Sequence, residues 1–197
     1  MNPFAIYLCG VGGQGIGLLS EILLRAADYA GYVAKAVDTH GLAQRGGVVV
    51  SHIRLGETVH TPLIPAYGAD LVVGLERHEA LRGAQAMLRD GGALVYFDTV
   101  LQPLGVRLGT EAEITNADVD RACASRGIAV HRMTCPNLAD PRMQNIVVLG
   151  HLHLLGLVGE VTAEHSLRAM DDLLEGPVLA ANVGLFRSIA ATARQAP

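Results

Sequence analysis

Tryptophan is absent from this 197-residue chain, and phenylalanine and tyrosine number only three and five. So few rings leave few platforms for stacking single-stranded bases. A basic block is missing too: 15 Lys and Arg stand against 19 Asp and Glu, for a net charge of -4. Both absences argue against nucleic acid as a partner. The three cysteines, Cys9, Cys123 and Cys135, are far apart. They make no disulfide framework and lack the clustered spacing of iron–sulfur ligation. No His-x-x-x-His pair falls on an expected helix, and His151 and His153, two apart, would not share a helix face, so no metal site is expected. Long apolar runs are also missing. The longest, Ile146 to Val158, falls short of the ~20 residues of a membrane span and carries both of those histidines. It is expected as a buried core helix. No basic n-region opens the chain, so no signal peptide is expected. The Walker A ending Gly-Lys-Ser/Thr and the Gly-x-Ser-x-Gly elbow do not occur, which argues against an NTP hydrolase and an α/β-hydrolase. The remaining expectation is a cytoplasmic α/β protein with no membrane contact.

Half of the chain is apolar and 23 residues are glycine, well above the usual ~7%. The run Phe4 to Val11 reads as a strand buried on both faces. After a glycine turn, Leu19, Ile22, Leu23, Ala26, Ala27 and Ala30 repeat at helical spacing, with Gly31 suited to the C-terminal cap. Tyr32 to Asp38 reads as a second strand, completing a βαβ unit. Further strands are expected at Val48–Leu55, Ala69–Glu76, Ala93–Thr99 and Ile128–Met133. Helices are expected from His78 to Asp90, stopped by Gly91-Gly92, and from Asn116, taken as N-cap. From Pro141 onward the pattern is helical, with Pro177 in the first turn of the last helix. The expected fold is α/β, a doubly wound, Rossmann-like, mostly parallel sheet with a helical C-terminal part, and residues 1–197 form a single domain.

Two stretches carry the functional signal. The first is the turn after strand one, Gly10-Val11-Gly12-Gly13-Gln14-Gly15. In a βαβ unit Gly10 permits the tight turn, Gly12 lets a pyrophosphate approach, and Gly15 lets helix and strand pack closely. The amides of Gly13 to Gly15 would then form an anion site, and Asp38 stands roughly where a ribose-binding carboxylate belongs. Gln14 is the oddity: its side chain would lie at the mouth of the loop, where the pyrophosphate should be. A bound dinucleotide, an empty structural turn, and another ligand or partner all fit these residues. The second stretch, Asp38 to Gly56, places His40, Gln44 and Arg45 beside Gly46 and Gly47 at the carboxyl end of a strand, the ligand edge of open α/β sheets. Arg45 offers a planar fork of donors for a carboxylate, phosphate or carbonyl cluster. A solvated loop with an exposed arginine is the alternative. Glu76, at another strand end, either faces the ligand edge or caps the next helix.

Taken together, these stretches resemble the gamma-type subunits of 2-oxoacid:ferredoxin oxidoreductases, especially the small (beta) subunits of the indolepyruvate enzymes. Such subunits carry Gly-x-Gly-Gly-Gln-Gly after strand one and His-Gly-x-x-Gln-Arg-Gly-Gly before strand three, here Gly10 to Gly15 and His40 to Gly47. Residues 69–82 and the stretch from Asn145 are similar as well, so the resemblance runs from residue 4 to about 157. One departure is Asp98, near which the family would place asparagine. The resemblance implies a subunit of an enzyme that oxidatively decarboxylates a 2-oxoacid, pyruvate, indolepyruvate or a relative, on thiamine diphosphate and passes electrons through iron–sulfur clusters to ferredoxin. Thiamine diphosphate, Mg²⁺ and the clusters are then expected on a larger partner subunit. The sequence agrees, since it lacks the Gly-Asp-Gly…Asn-Asn pattern of thiamine enzymes. Some members of the family form an acyl-CoA, so CoA is a further implied ligand of the complex. On this chain the resemblance implies no catalytic residue and no bound cofactor, but loop residues that pack on the large subunit: Gly10, Gly12, Gly13, Gln14, Gly15, His40, Gln44, Arg45, Gly46, Gly47 and Glu76. Isolated, the chain should be inactive and form a homodimer through those bare loops. The rival reading is a stand-alone dinucleotide-binding oxidoreductase using Asp38.

Overall fold

The computed structural model describes residues 3–40, 47–101, 106, 108–110, 112–138 and 140–190. Six strands form one sheet: β1 (Phe4–Val11), β2 (Val33–His40), β3 (Val48–Gly56), β4 (Ala69–Gly74), β5 (Leu88–Phe97) and β6 (Ala129–Met133). Their order across the sheet is β2-β3-β1-β4-β5-β6. β1 pairs in parallel with β4, β4 with β5, and β5 with β6, whereas β3 runs antiparallel to both β1 and β2. The helices are α1 (Ile16–Tyr29), α2 (Arg77–Ala86), α3 (Asn116–Ala124), α4 (Gln144–Leu154), α5 (Ala163–Leu173) and α6 (Gly176–Ala190).

Alternation along the strands sorts the core into two halves. Ile6, Leu8, Leu71, Val73, Val95 and Phe97 turn to one face, where Leu19, Ile22 and Leu23 of α1 and Ile146, Val147 and Leu149 of α4 cover them. Ala5, Cys9, Val72, Leu94 and Tyr96 turn to the other, under Ala80, Leu81 and Ala84 of α2 and Val119 and Cys123 of α3. Both faces are covered, so β1 and β4 read as unbroken apolar runs. The expected doubly wound α/β fold is the observed one. Its direction of winding changes between β1 and β4, since α1 carries the chain to one side and α2 to the other. That crevice is where open α/β sheets hold ligands.

Three local readings need correction. The βαβ unit forms, but β3 is inserted between its two parallel strands. The helix expected to reach Asp90 ends at Ala86. Gly91 and Gly92 lie within β5, where residues 89–92 bulge between the Ala69–Leu88 and Leu71–Ala93 pairs and Gly91 takes φ +68°. Arg126 holds this corner: its guanidinium donates to the carbonyls of Ala84 and Leu88, and its Nε to Asp90 Oδ1 at 2.7 Å. Finally, α3 is capped by Thr115 rather than Asn116. Thr115 Oγ1 accepts from the Asp118 amide, and the Asp118 carboxylate accepts from the Thr115 amide. Asn116 is thereby free for the polar network described below. The C-terminal part is helical as expected, with Pro177 in the first turn of α6. Among the described residues, no helix is long and apolar enough to cross a membrane.

Candidate functional site

β1, β2, β4, β5 and β6 all point their C-terminal ends at one edge of the sheet, and antiparallel β3 begins there. Both sequence stretches therefore meet at that edge. β1 ends opposite the start of β3, with Val11 paired to Val48. The Gly12 amide then donates to the Gly47 carbonyl at 2.9 Å, joining the last residue of the second motif to the first motif. His40 is the last residue of β2, paired with Val49. The His40 side chain and residues Gln44, Arg45 and Gly46 lie outside the described residues.

Gln14 does not sit at the mouth of the loop. Its side chain folds inward and is buried. Oε1 accepts from the Val11 amide at 2.7 Å, and Nε2 donates to the Leu75 carbonyl, just beyond β4, at 2.8 Å. Both ends of the amide are thus satisfied, as burial requires. The side chain bridges the ends of β1 and β4 and fills the crevice at the switch point. Gly10 makes room for it: a Cβ there would stand 2.8 Å from Gln14 Oε1 and 3.3 Å from Leu75 Cβ. The Gln14 amide itself donates to the Val11 carbonyl at 3.1 Å. Of the three amides expected to bind an anion, that one is already engaged.

Gly15 is the N-cap of α1, with φ +82° and no side chain to cap the helix. Its expected role, letting helix and strand close up, falls instead on a contact with α4. Asn145 Nδ2 donates to the Gly15 carbonyl at 3.2 Å, and a Cβ on residue 15 would lie 2.5 Å from that nitrogen. Asn145 Oδ1 accepts from the Ile146 amide. The loop is therefore pinned to β4 through Gln14, to β3 through Gly12 and to α4 through Gly15. A loop held this way keeps its shape when nothing is bound.

Glu76 caps α2. The carboxylate is buried; Oε2 accepts from the Glu79 amide at 2.9 Å and Oε1 from the Leu101 amide at 3.3 Å. The bond from the Glu79 amide is that of the capping role. Glu79, also buried, pairs with Arg82 at 2.7 Å. Burial raises its carboxyl above the ordinary range, Arg82 opposes the rise, and the neighbouring Glu76 adds to it. Cys9 is sealed under α2, where its thiol donates to the Glu79 carbonyl at 3.3 Å. Burial, then Glu79 and Glu76, push the thiol far up, so it is inert as a nucleophile. Asp38 is exposed on β2, with β3 between it and β1. Two strand spacings, ~10 Å, separate it from the strand that feeds the glycine turn. The ribose-binding geometry of a dinucleotide fold is not formed.

A polar network at the β5–β6 end of the same edge was not anticipated. Arg77 pairs with Asp98 at 2.6 Å, and both are largely buried. Asn116 Nδ2 donates to Asp98 Oδ2 and Asn116 Oδ1 accepts from Tyr96 Oη, each at 2.8 Å. Arg132 Nε donates to Tyr96 Oη at 2.7 Å and its guanidinium reaches Asp120 at 3.1 Å. Asp98 thus fills the position where asparagine was expected, and its charge is matched by Arg77. The spacing of these residues in sequence, from 77 to 132, carries no motif, so only the fold brings them together.

Comparisons with known proteins agree with this layout. The family model of pyruvate ferredoxin/flavodoxin oxidoreductase matches residues 5–191. Indolepyruvate oxidoreductase subunit IorB of Archaeoglobus fulgidus is 43% identical over 105 residues, 53% of this chain and 51% of that protein. Its counterpart in Thermococcus kodakarensis is 36% identical over 109 residues, 55% and 54% of the two chains. The chain thus spans about half the length of the curated relatives it matches. Among solved structures, the gamma subunit of a keto/oxoacid ferredoxin oxidoreductase from Geobacter sulfurreducens superposes with a TM-score of 0.63 at 21% identity, covering 98% of this chain and 99% of that one. Pyruvate oxidoreductase subunit PORC from Thermotoga maritima gives 0.67 at 18%, covering 97% of each. At those identities the structures speak for the fold alone. With the matched model running almost end to end, the chain belongs to the pyruvate ferredoxin/flavodoxin oxidoreductase family.

Proposed function

We propose that this chain is the small, gamma-type subunit of a 2-oxoacid:ferredoxin oxidoreductase acting on indolepyruvate or a related 2-oxoacid. The observation that carries the reading is the Gly12–Gly47 hydrogen bond, which makes one surface of the two motifs while Gln14 fills the crevice a nucleotide would need. An edge built this way offers a preformed face to another protein, and the larger subunit packs on it. Gln44 and Arg45 are its contacts across that interface, with His40, Gly46 and Gly47 shaping the approach to the partner's substrate or CoA channel. Gly10 to Gly15 and Glu76 hold the face rigid. The names of the curated relatives, indolepyruvate oxidoreductase subunits, support the substrate class.

Thiamine diphosphate supplies the ylid that makes decarboxylation feasible, and clusters carry the electrons onward. The cysteines of this chain are not gathered into a cluster site. Cys9 and Cys123 are buried on separate elements and Cys135 is partly buried elsewhere. Among the described residues, no three metal-ligating side chains converge. In this reading thiamine diphosphate, Mg²⁺, the clusters and the contact with ferredoxin belong to the partner, and the complex works in the cytoplasm. The test is capture of tagged chain from its native host. Recovery of a thiamine- and iron-containing partner supports the reading; recovery of the chain alone overturns it. In the captured complex, Arg45→Ala separates the two roles of the second loop. Lost turnover with intact assembly places Arg45 at the channel, and lost assembly places it in the interface.

A further inference from the structure

We infer that Gln14 is a positioning residue: its side chain transmits the placement of β4 to the root of the second motif and so sets turnover of the assembled enzyme. This rests on the reading that the motif edge meets the large subunit. The path is short. The Leu75 carbonyl fixes Nε2, Oε1 fixes the Val11 amide, and Val11 leads directly to Gly12. The Gly12 amide holds the Gly47 carbonyl, and Gly47 begins the chain that enters β3 at Val48. Three hydrogen bonds joined by peptide links make the path, and the first two are made by one buried side chain. An asparagine, shorter by a methylene, cannot span both groups. A leucine of similar size fills the crevice but leaves the Val11 amide and the Leu75 carbonyl without their partners. Gln14 touches no reacting atom; it acts through Gly12 and Gly47.

The glutamine can be converted into a switchable version of itself. In Gln14→Glu, a protonated carboxyl can still accept from Val11 and donate to Leu75, whereas a carboxylate meets the Leu75 carbonyl with an acceptor. Burial raises the new group's pKa in the folded chain. Its contribution is therefore present at low pH and lost as pH rises through that raised value.

The experiment has two arms. In the isolated chain, amide hydrogen exchange at Val11 and Gly12 should speed up about tenfold or more in Gln14→Leu. In the purified two-subunit complex, Gln14→Glu should turn over about tenfold slower than wild type at about pH 8 and approach wild type near pH 5.5. Each rate is compared with wild type at the same pH. Unchanged exchange in Gln14→Leu overturns the inference. So does an assembled Gln14→Glu complex whose pH profile overlays wild type. If wild-type chain forms no complex while the exchange arm responds, the partner reading has failed and the internal path stands.

Discussion

Gly15→Ala should be a costly single-methyl change. The new Cβ would stand 2.5 Å from Asn145 Nδ2, and the backbone would have to hold φ +82° with a side chain present. The left-handed conformation costs an L-residue roughly 1–2 kcal/mol. Pushing Asn145 aside sacrifices its bond to the Gly15 carbonyl, worth about 1 kcal/mol. The sum, about 2–3 kcal/mol, corresponds to a fall in Tm of roughly 5–10 °C for a chain of this size. Gly13→Ala is the internal control. Gly13 has φ +102° but nothing within 4 Å of its would-be Cβ, so it should show the backbone penalty alone. Asn145→Ala supplies the other corner of a double-mutant cycle. With Asn145 truncated, Gly15→Ala should cost about 1 kcal/mol less than in wild type. Urea denaturation of the four proteins of the cycle and of Gly13→Ala measures all terms. A Gly15→Ala loss below about 0.5 kcal/mol, or a cycle that closes with no coupling, would refute the pinning of the loop to α4.

Other consequences follow from the same geometry. Asp98→Asn removes the nearer and more buried of Arg77's two acidic partners, leaving Glu113 at 3.8 Å, and should destabilise by about 2–4 kcal/mol, read by denaturant melts, while Tyr96→Phe, which removes only the hydroxyl between Asn116 and Arg132, should cost about 1–2. Thiol labelling of native protein should modify Cys135 and spare Cys9 and Cys123 until the chain unfolds; rapid labelling of Cys9 would contradict its burial. His153 is held neutral, its pKa lowered to about 4 by burial and then by His165. Its folded value lies below its unfolded value, so its contribution is complete above about pH 6.5 and is lost as pH falls toward 4. The slope of stability against pH in that window should be shallower in His153→Gln, and equal slopes would show that His153 is not responsible. Calorimetry of the isolated chain with NAD(H), NADP(H) and FAD should register no tight binding, because Gln14 occupies the crevice and Asp38 is remote; a micromolar Kd, about -8 kcal/mol, would revive the dinucleotide reading.

How much of this was legible from the residues depended on the range of the interaction. The strand, glycine turn and helix at 4–31 announce themselves locally, down to Gly31, whose amide and that of Tyr32 close α1 onto Asp28 and Ala27. That both motifs share an edge was legible too, because each follows or precedes a strand. The direction of Gln14 was not. It is set by a carbonyl 61 residues away, and sequence spacing holds no record of that partner. The insertion of β3 between β1 and β2 was hidden for a related reason: Val48 to Leu55 is apolar at most positions and gives no sign of which strands flank it. Gly91-Gly92 misled because glycine ends helices and also makes bulges, and only the pairing of β5 with β4 decides which. Thr115 beat Asn116 as cap because Asp118 completes a reciprocal pair with it, while Asn116 is needed by Asp98 and Tyr96.

The claim on which the account turns is that this chain completes another subunit. It is tested most directly by reconstitution. The large subunit and this chain are purified separately, and reduction of ferredoxin by indolepyruvate or a related aryl 2-oxoacid is followed with each alone and with both. If the claim holds, this chain alone gives no turnover, the large subunit gives little, and the rate rises with added chain until the two are stoichiometric. Full activity of the large subunit without this chain, or ferredoxin reduction by this chain on its own, would contradict it.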